Sequence, residues 1–102
     1  MKAYIIVFEW STECASGNEV EVYGTYQKAL NRFYQIINDE QNPEISWVGD
    51  AWDENGNLLE NYELQCNEQY DDNEEHDHWW YVECKNNYYL HDHLELRILE
   101  VM

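Results

Sequence analysis

Only one stretch of this chain carries helical periodicity, and that restricts what the rest can build. In "TYQKALNRFYQIINDEQNP", Tyr26, Leu30, Phe33 and Ile37 recur at helical spacing, with Ala29 and Ile36 beside them, and form one apolar stripe. Thr25 is placed to cap the first turn, and Pro43 marks where the helix must have stopped. A lone amphipathic helix has to bury its stripe against another element, and the other apolar residues are patterned as strands. Residues 2–10, "KAYIIVFEW", are rich in β-branched and aromatic side chains and read as a central strand. "EVEVY", residues 19–23, alternates charged and apolar residues, as a strand with one wet face does. Residues 45–52 and 58–64 flank Asn55-Gly56, a strong hairpin signal, and a second hairpin turns at 85–87. The expected order is β-β-α-β-β-β-β. This is an α+β fold, a single antiparallel β-sheet of about five to six strands with two C-terminal hairpins, packed against one α-helix.

The 102 residues form a single domain, 1–102, with an acidic loop around 66–78 joining the hairpins. Hydrophobic residues make up 44% and aromatics 16%, a content that disordered acidic chains lack. The surface is the unusual part. Asp and Glu total 22 against 5 Lys and Arg, a net charge of −17. Such a balance disfavours direct binding to nucleic acid or to anionic lipid, which need a basic surface. The excess can serve solubility or salt tolerance, bind cations, or engage a strongly basic partner. Cys14, Cys66 and Cys84 are odd in number and contain no C-x-x-C pair, which reads as free thiols in a reducing cytoplasm. The apolar run "AYIIVF" is too short for a signal peptide, and no segment has the length of a membrane helix.

Two "HDH" triplets, His76–His78 and His91–His93, are candidate half-sites for a structural zinc, because residues two apart on a strand point the same way. If the second hairpin turns about Asn86, Val82 lies near Leu90, Tyr81 near His91 and Trp79 near His93. His91 and His93 then share the outer face with Trp79 and Tyr81, whereas His76 and His78 have the parity of Trp80, Val82 and Cys84. The simplest register therefore leaves a four-histidine site unbuilt, and a bulge or a loop at His76 would be needed to assemble it. Mixed sites, with one histidine pair and a nearby Asp, Glu or Cys, are the other route to a metal; exposed histidines on an acidic surface are the plainer reading. "DAWDENGN" fails as a calcium loop, since aligning Gly56 with the glycine of an EF-hand puts Ala51 and Tyr62 at positions that require carboxylates. There is no G-x-S-x-G, no Gly-rich phosphate loop and no H-E-x-x-H, so no enzyme is expected.

Strand residues rise about 3.3 Å each, so outward carboxylates two apart lie roughly 6.6 Å from each other, comparable with successive phosphates of a DNA strand. Glu19 and Glu21 have this spacing, and acids recur along the chain from Glu9 to Glu63. The densest run is "EQYDDNEEHDHWWY", residues 68–81, where acids lead into adjacent tryptophans that must face opposite sides of a strand. An exposed aromatic rimmed by carboxylates is what a protein-binding hot spot looks like. Asp71, Asp72, Glu74, Glu75 and Asp77, with Trp79 as an anchor, are the expected partner contacts.

The acidic run "YDDNEEHDH", the acidic strand "NEVEV" and the near absence of Lys and Arg give the chain its class likeness. In size, charge and build it resembles the small acidic proteins of phages and mobile elements that include anti-CRISPR proteins and other DNA mimics. That resemblance implies a non-catalytic inhibitor of a basic, nucleic-acid-handling protein such as a Cas nuclease, acting in the host cytoplasm. It carries over no residue position by position. The clustered histidines depart from the class and keep two alternatives open, a small zinc-binding module and an immunity protein against a nuclease toxin.

Overall fold

The structure is a computed structural model and describes residues 1–12, 15–42, 44–45, 51–67 and 74–101, with Tyr88 described in its backbone only. Its elements are β1 (Lys2–Ser11), β2 (Ser16–Tyr23), α1 (Tyr26–Glu40), β3 (Tyr62–Cys66), β4 (His78–Cys84) and β5 (Asn87–Glu100). The strands form one antiparallel sheet in the order β2-β1-β5-β4-β3, packed against the single helix. This is the expected α+β fold, with five strands.

Helix α1 begins where its chemistry says it should. The Thr25 hydroxyl accepts from the Lys28 N–H at 3.3 Å, satisfying one of the first-turn donors. Its buried line is Ala29, Phe33, Ile36 and Glu40, with Tyr26, Leu30 and Ile37 flanking it. The stripe was legible, but its last member, a buried carboxyl, was not. Pro43 lies outside the described residues.

Strict alternation places Tyr4, Ile6 and Phe8 of β1, Trp80, Val82 and Cys84 of β4, and Leu94 and Leu96 of β5 in the core beneath α1. Fully burying an aliphatic side chain of this kind contributes roughly 2 kcal/mol. Toward β3 the layer above the sheet is made by the segment that begins at Ala51, where Ala51 and Trp52 are buried, as is Tyr62 at the start of β3. Trp52 stacks on Trp80 with ring centroids 6.4 Å apart.

The two hairpins differ from expectation in opposite ways. Asn55-Gly56 does turn, with Gly56 at φ 82 and the Asp53 carboxylate accepting from the Asn55 and Asn57 amides. Among the described residues, however, its arms meet only at one bridge, Trp52 to Leu58, and residues 62–66 pair with β4. Residues 46–50 of the expected first arm lie outside the described residues. The β4–β5 hairpin forms, but its register is shifted by two: Tyr81 faces His93 and Val82 faces Asp92. The irregularity is local: residues 88–90 intervene between the β5 partners of Cys84 and Glu83, and at the start of that stretch the Asn87 side chain accepts from the Tyr89 N–H at 3.1 Å.

Candidate functional site

One face of the sheet lies under α1; the other has no element packed on it among the described residues. Pairing fixes what that open face displays. Across the strands run Glu63, Glu83, His91 and Ser11, then Gln65, Tyr81, His93 and Glu9, then Trp79, Glu95, Val7 and Val20, then Arg97, Ile5 and Val22. One end of the face is therefore a lattice of carboxylates and imidazoles around Tyr81. The other end is apolar, with Val22 66% exposed.

The acidic end is internally organised. Glu63 and Glu83 stand directly opposite each other, and no lysine or arginine pairs with either among the described residues. Directly opposed like charges are destabilising, by roughly 1 kcal/mol for unit charges about 5 Å apart in water. The Tyr81 hydroxyl donates to Glu83 at 2.7 Å, and burial together with that bond pushes the phenol up to about 12. His93 Nε2 lies 3.1 Å from Glu95, which also holds Arg97. The rings of His91 and His93 flank Tyr81 at 6.0 and 5.5 Å.

The expected decoy pair, Glu19 and Glu21, sits elsewhere. Pairing of β2 with β1 turns both toward the helix side and leaves Val20 and Val22 on the open face. Arg32 of α1 grips Glu21 through Nε and Nη2 at 3.0 and 3.1 Å, and this bond holds the Glu21 carboxyl below the usual range. Glu21 is thus a structural acid.

Of the acidic loop, Asp71 and Asp72 lie outside the described residues. Glu74 is exposed. Glu75 and Asp77 are exposed too, but each holds an internal bond. Glu75 accepts from the Tyr4 hydroxyl at 2.6 Å and lies 3.8 Å from Lys2, and Asp77 accepts from the Ile98 N–H at 2.9 Å. These bonds lay the segment before β4 against the ends of β1 and β5. Trp80 enters the core while Trp79 remains 39% exposed at the edge of the acidic lattice.

The four histidines divide between the two sides of the sheet. His78 lies on the helix side, its Nε2 2.6 Å from the Tyr26 hydroxyl, among Phe33 and Tyr34 and 4.9 Å from the His76 ring. Burial, and then His76, pull the His78 pKa below its ordinary value. His91 and His93 lie on the open face against Tyr81. Among the described residues, no three His, Cys, Asp or Glu are placed to hold a metal ion. Cys66 and Cys84 are free thiols, and Cys14 lies outside the described residues.

The acidic lattice draws Glu9, Glu63, Glu83 and Glu95 from four strands. Each strand's alternation was legible, but only the strand order brings the four together. No helix of the described residues is long and apolar enough to cross a membrane. Comparison with family models, with curated proteins and with solved structures finds no match to this chain.

Proposed function

We propose that this protein is a non-catalytic inhibitor that binds a basic, nucleic-acid-handling protein, a Cas nuclease being the partner that fits its size and charge. The observation that carries this reading is the open sheet face, where paired strands display Glu9, Glu63 and Glu83 around Tyr81, with Glu95, already held by Arg97 and His93, beside them. Strands about 4.8 Å apart and same-face residues about 6.6 Å apart give carboxylates at intervals a phosphate-binding groove accepts. The strand frame matters, since strand pairing already fixes the backbone positions of these acids and leaves only side-chain rotamers to order when they meet the partner's Lys and Arg. The net charge of −17 adds long-range steering toward any basic cleft. On this reading the protein acts in the cytoplasm, binds no nucleic acid itself and needs no cofactor.

The test compares two multiple variants for binding to guide-loaded Cas nucleases. One neutralises the face (Glu9→Gln, Glu63→Gln, Glu83→Gln, Glu95→Gln), and the other neutralises the loop acids Asp71, Asp72 and Glu74 by amide replacement. Loss of binding by the face variant, with a flattened salt dependence, supports the face as the site. Unchanged binding by the face variant alongside loss by the loop variant would move the site to the loop. If the unaltered protein binds none of the nucleases, the Cas reading fails.

A further inference from the structure

A purely electrostatic decoy has no use for the apolar end of the open face. There Val7 pairs with Val20 and Ile5 with Val22, while Leu99 of β5 stands opposite Ala3. Val20 is 61% exposed, Val22 66% and Leu99 47%. Three strands thus present aliphatic side chains to water, in a chain with 22 acids available to cover its surface.

The acids begin where the aliphatics stop. Glu9 follows Val7 on the same face of β1, and Glu95 is the β5 partner of Val7. Val7, Glu9, His93, Glu95 and Arg97 line one small crevice at this boundary. Across β5, Tyr81 and Glu83 of β4 continue the acidic lattice. The face is therefore graded, aliphatic toward β2 and acidic toward β4.

We infer that this face receives an amphipathic helix of the basic partner, lying along β1 with an apolar stripe over β1 and β2 and a basic flank toward β4. This rests on the reading that the partner is basic. Sheet faces bury helices through such stripes, as the opposite face of this sheet does with α1. A helix is about 10 Å across and strands lie about 4.8 Å apart, so it would cover β1 and reach β2 on one side and β5 on the other. From Ala3 to Glu9 the strand runs about 20 Å, the length of roughly 13 helical residues. Lysines or arginines on the flank would lie over Glu9 and reach across β5 toward Glu83.

A second copy of the chain suits the face less well. Of the chain's five Lys and Arg, Arg97 is the one that a strand carries on this face among the described residues, and Glu95 already holds it. Two copies packed through the face would bring their Glu9 residues, and two chains of −17, together.

The test uses the full chain, isotope-labelled at its valine and isoleucine methyls, and three end-blocked peptides of about the helical length given above. The first sets leucines in one stripe and lysines along its flank. The second carries glutamates in place of the lysines, and the third is a scramble of the first without a stripe. The expected result is that the first peptide shifts the methyl signals of Ile5, Val7, Val20 and Val22 and binds about tenfold more tightly than the scramble. The double variant Val20→Thr, Val22→Thr keeps β-branched side chains in the strand, and its Ile6 and Val82 signals report an intact core. It is expected to weaken the first peptide by about tenfold and to leave the scramble unchanged. At high salt the first peptide keeps binding that the scramble loses. Equal binding of the first peptide and the scramble, or undiminished affinity of the first for the double variant, would overturn the helix proposal and leave the basic-partner reading standing. A dimer of the free chain that the double variant abolishes would give the face to a second copy and overturn the proposal as well. Binding of none of the peptides would overturn it too, while the basic-partner reading stands or falls with nuclease binding. Binding of the glutamate peptide as tight as that of the lysine peptide would overturn both.

Discussion

Asp92, wholly buried on β5, lies against Glu40, buried in the last turn of α1. Burial first, and then the neighbouring Glu40 carboxyl, push the Asp92 carboxyl up to about 9. In a chain of net charge −17, the interior therefore holds an acid in its neutral form at physiological pH.

The sign of the resulting pH dependence follows from the direction of that shift. A carboxyl raised from 3.8 to about 9 contributes stability that is fully present below about pH 4 and is lost as pH rises toward 9. An amide keeps the shape and donates as the protonated acid does. Asp92→Asn is therefore expected to match the parent near pH 4 and to be more stable at pH 8. The difference should grow by up to about 1.4 kcal/mol per pH unit. Urea unfolding at several pH values reads this directly, and parallel pH profiles would contradict it.

Surface charge gives a second prediction. Glu63→Lys converts a direct like-charge pair with Glu83 into an opposite one, so the variant should be more stable by about 0.5 kcal/mol at low salt. The gain should shrink in 1 M salt, because exposed charges are screened. Stability lost by the substitution at low salt would contradict a net repulsion between Glu63 and Glu83.

The two faces of the sheet predict opposite mutational costs. Ile6 is 1% exposed beneath α1, so Ile6→Ala should cost about 3 kcal/mol or more. Val22, on the open face, should tolerate Thr within about 0.5 kcal/mol. A large loss at Val22 in the isolated protein would show that the open face is covered in solution.

Metal removal supplies a further check. With His78 Nε2 engaged by Tyr26 and the His91–His93 pair on the other side of the sheet, chelation should leave the unfolding temperature unchanged. A fall of several degrees on adding EDTA, reversed by zinc, would restore a structural metal to the account.

These tests also mark where the sequence was informative. Period and composition were enough for α1, for β1 and for the opposite faces of Trp79 and Trp80, because each depends on residues within a few positions. Alternation in β2 gave its period but not its side. The register of β2 on β1 sets the side, and Arg32 of α1 holds Glu21 there, a contact that joins two elements. The β4–β5 parity was readable. Its register was not, because it contains an irregularity between Glu83 and Cys84 that alternation does not encode. Most of the acidic lattice was out of reach for a different reason. Glu9 stands opposite His93 only because β5 pairs with β1 as well as with β4, an order that no local pattern encodes. The acidic loop drew the eye by density, yet two of its acids, Glu75 and Asp77, are bound to the fold itself.

The most direct measurement is DNA binding by a panel of guide-loaded Cas nucleases, with and without the purified protein, across a salt series. The account predicts that at least one member loses DNA binding at stoichiometric protein, and that inhibition weakens steeply as salt rises. Undiminished DNA binding by every member at low salt, with the protein in excess, would contradict it.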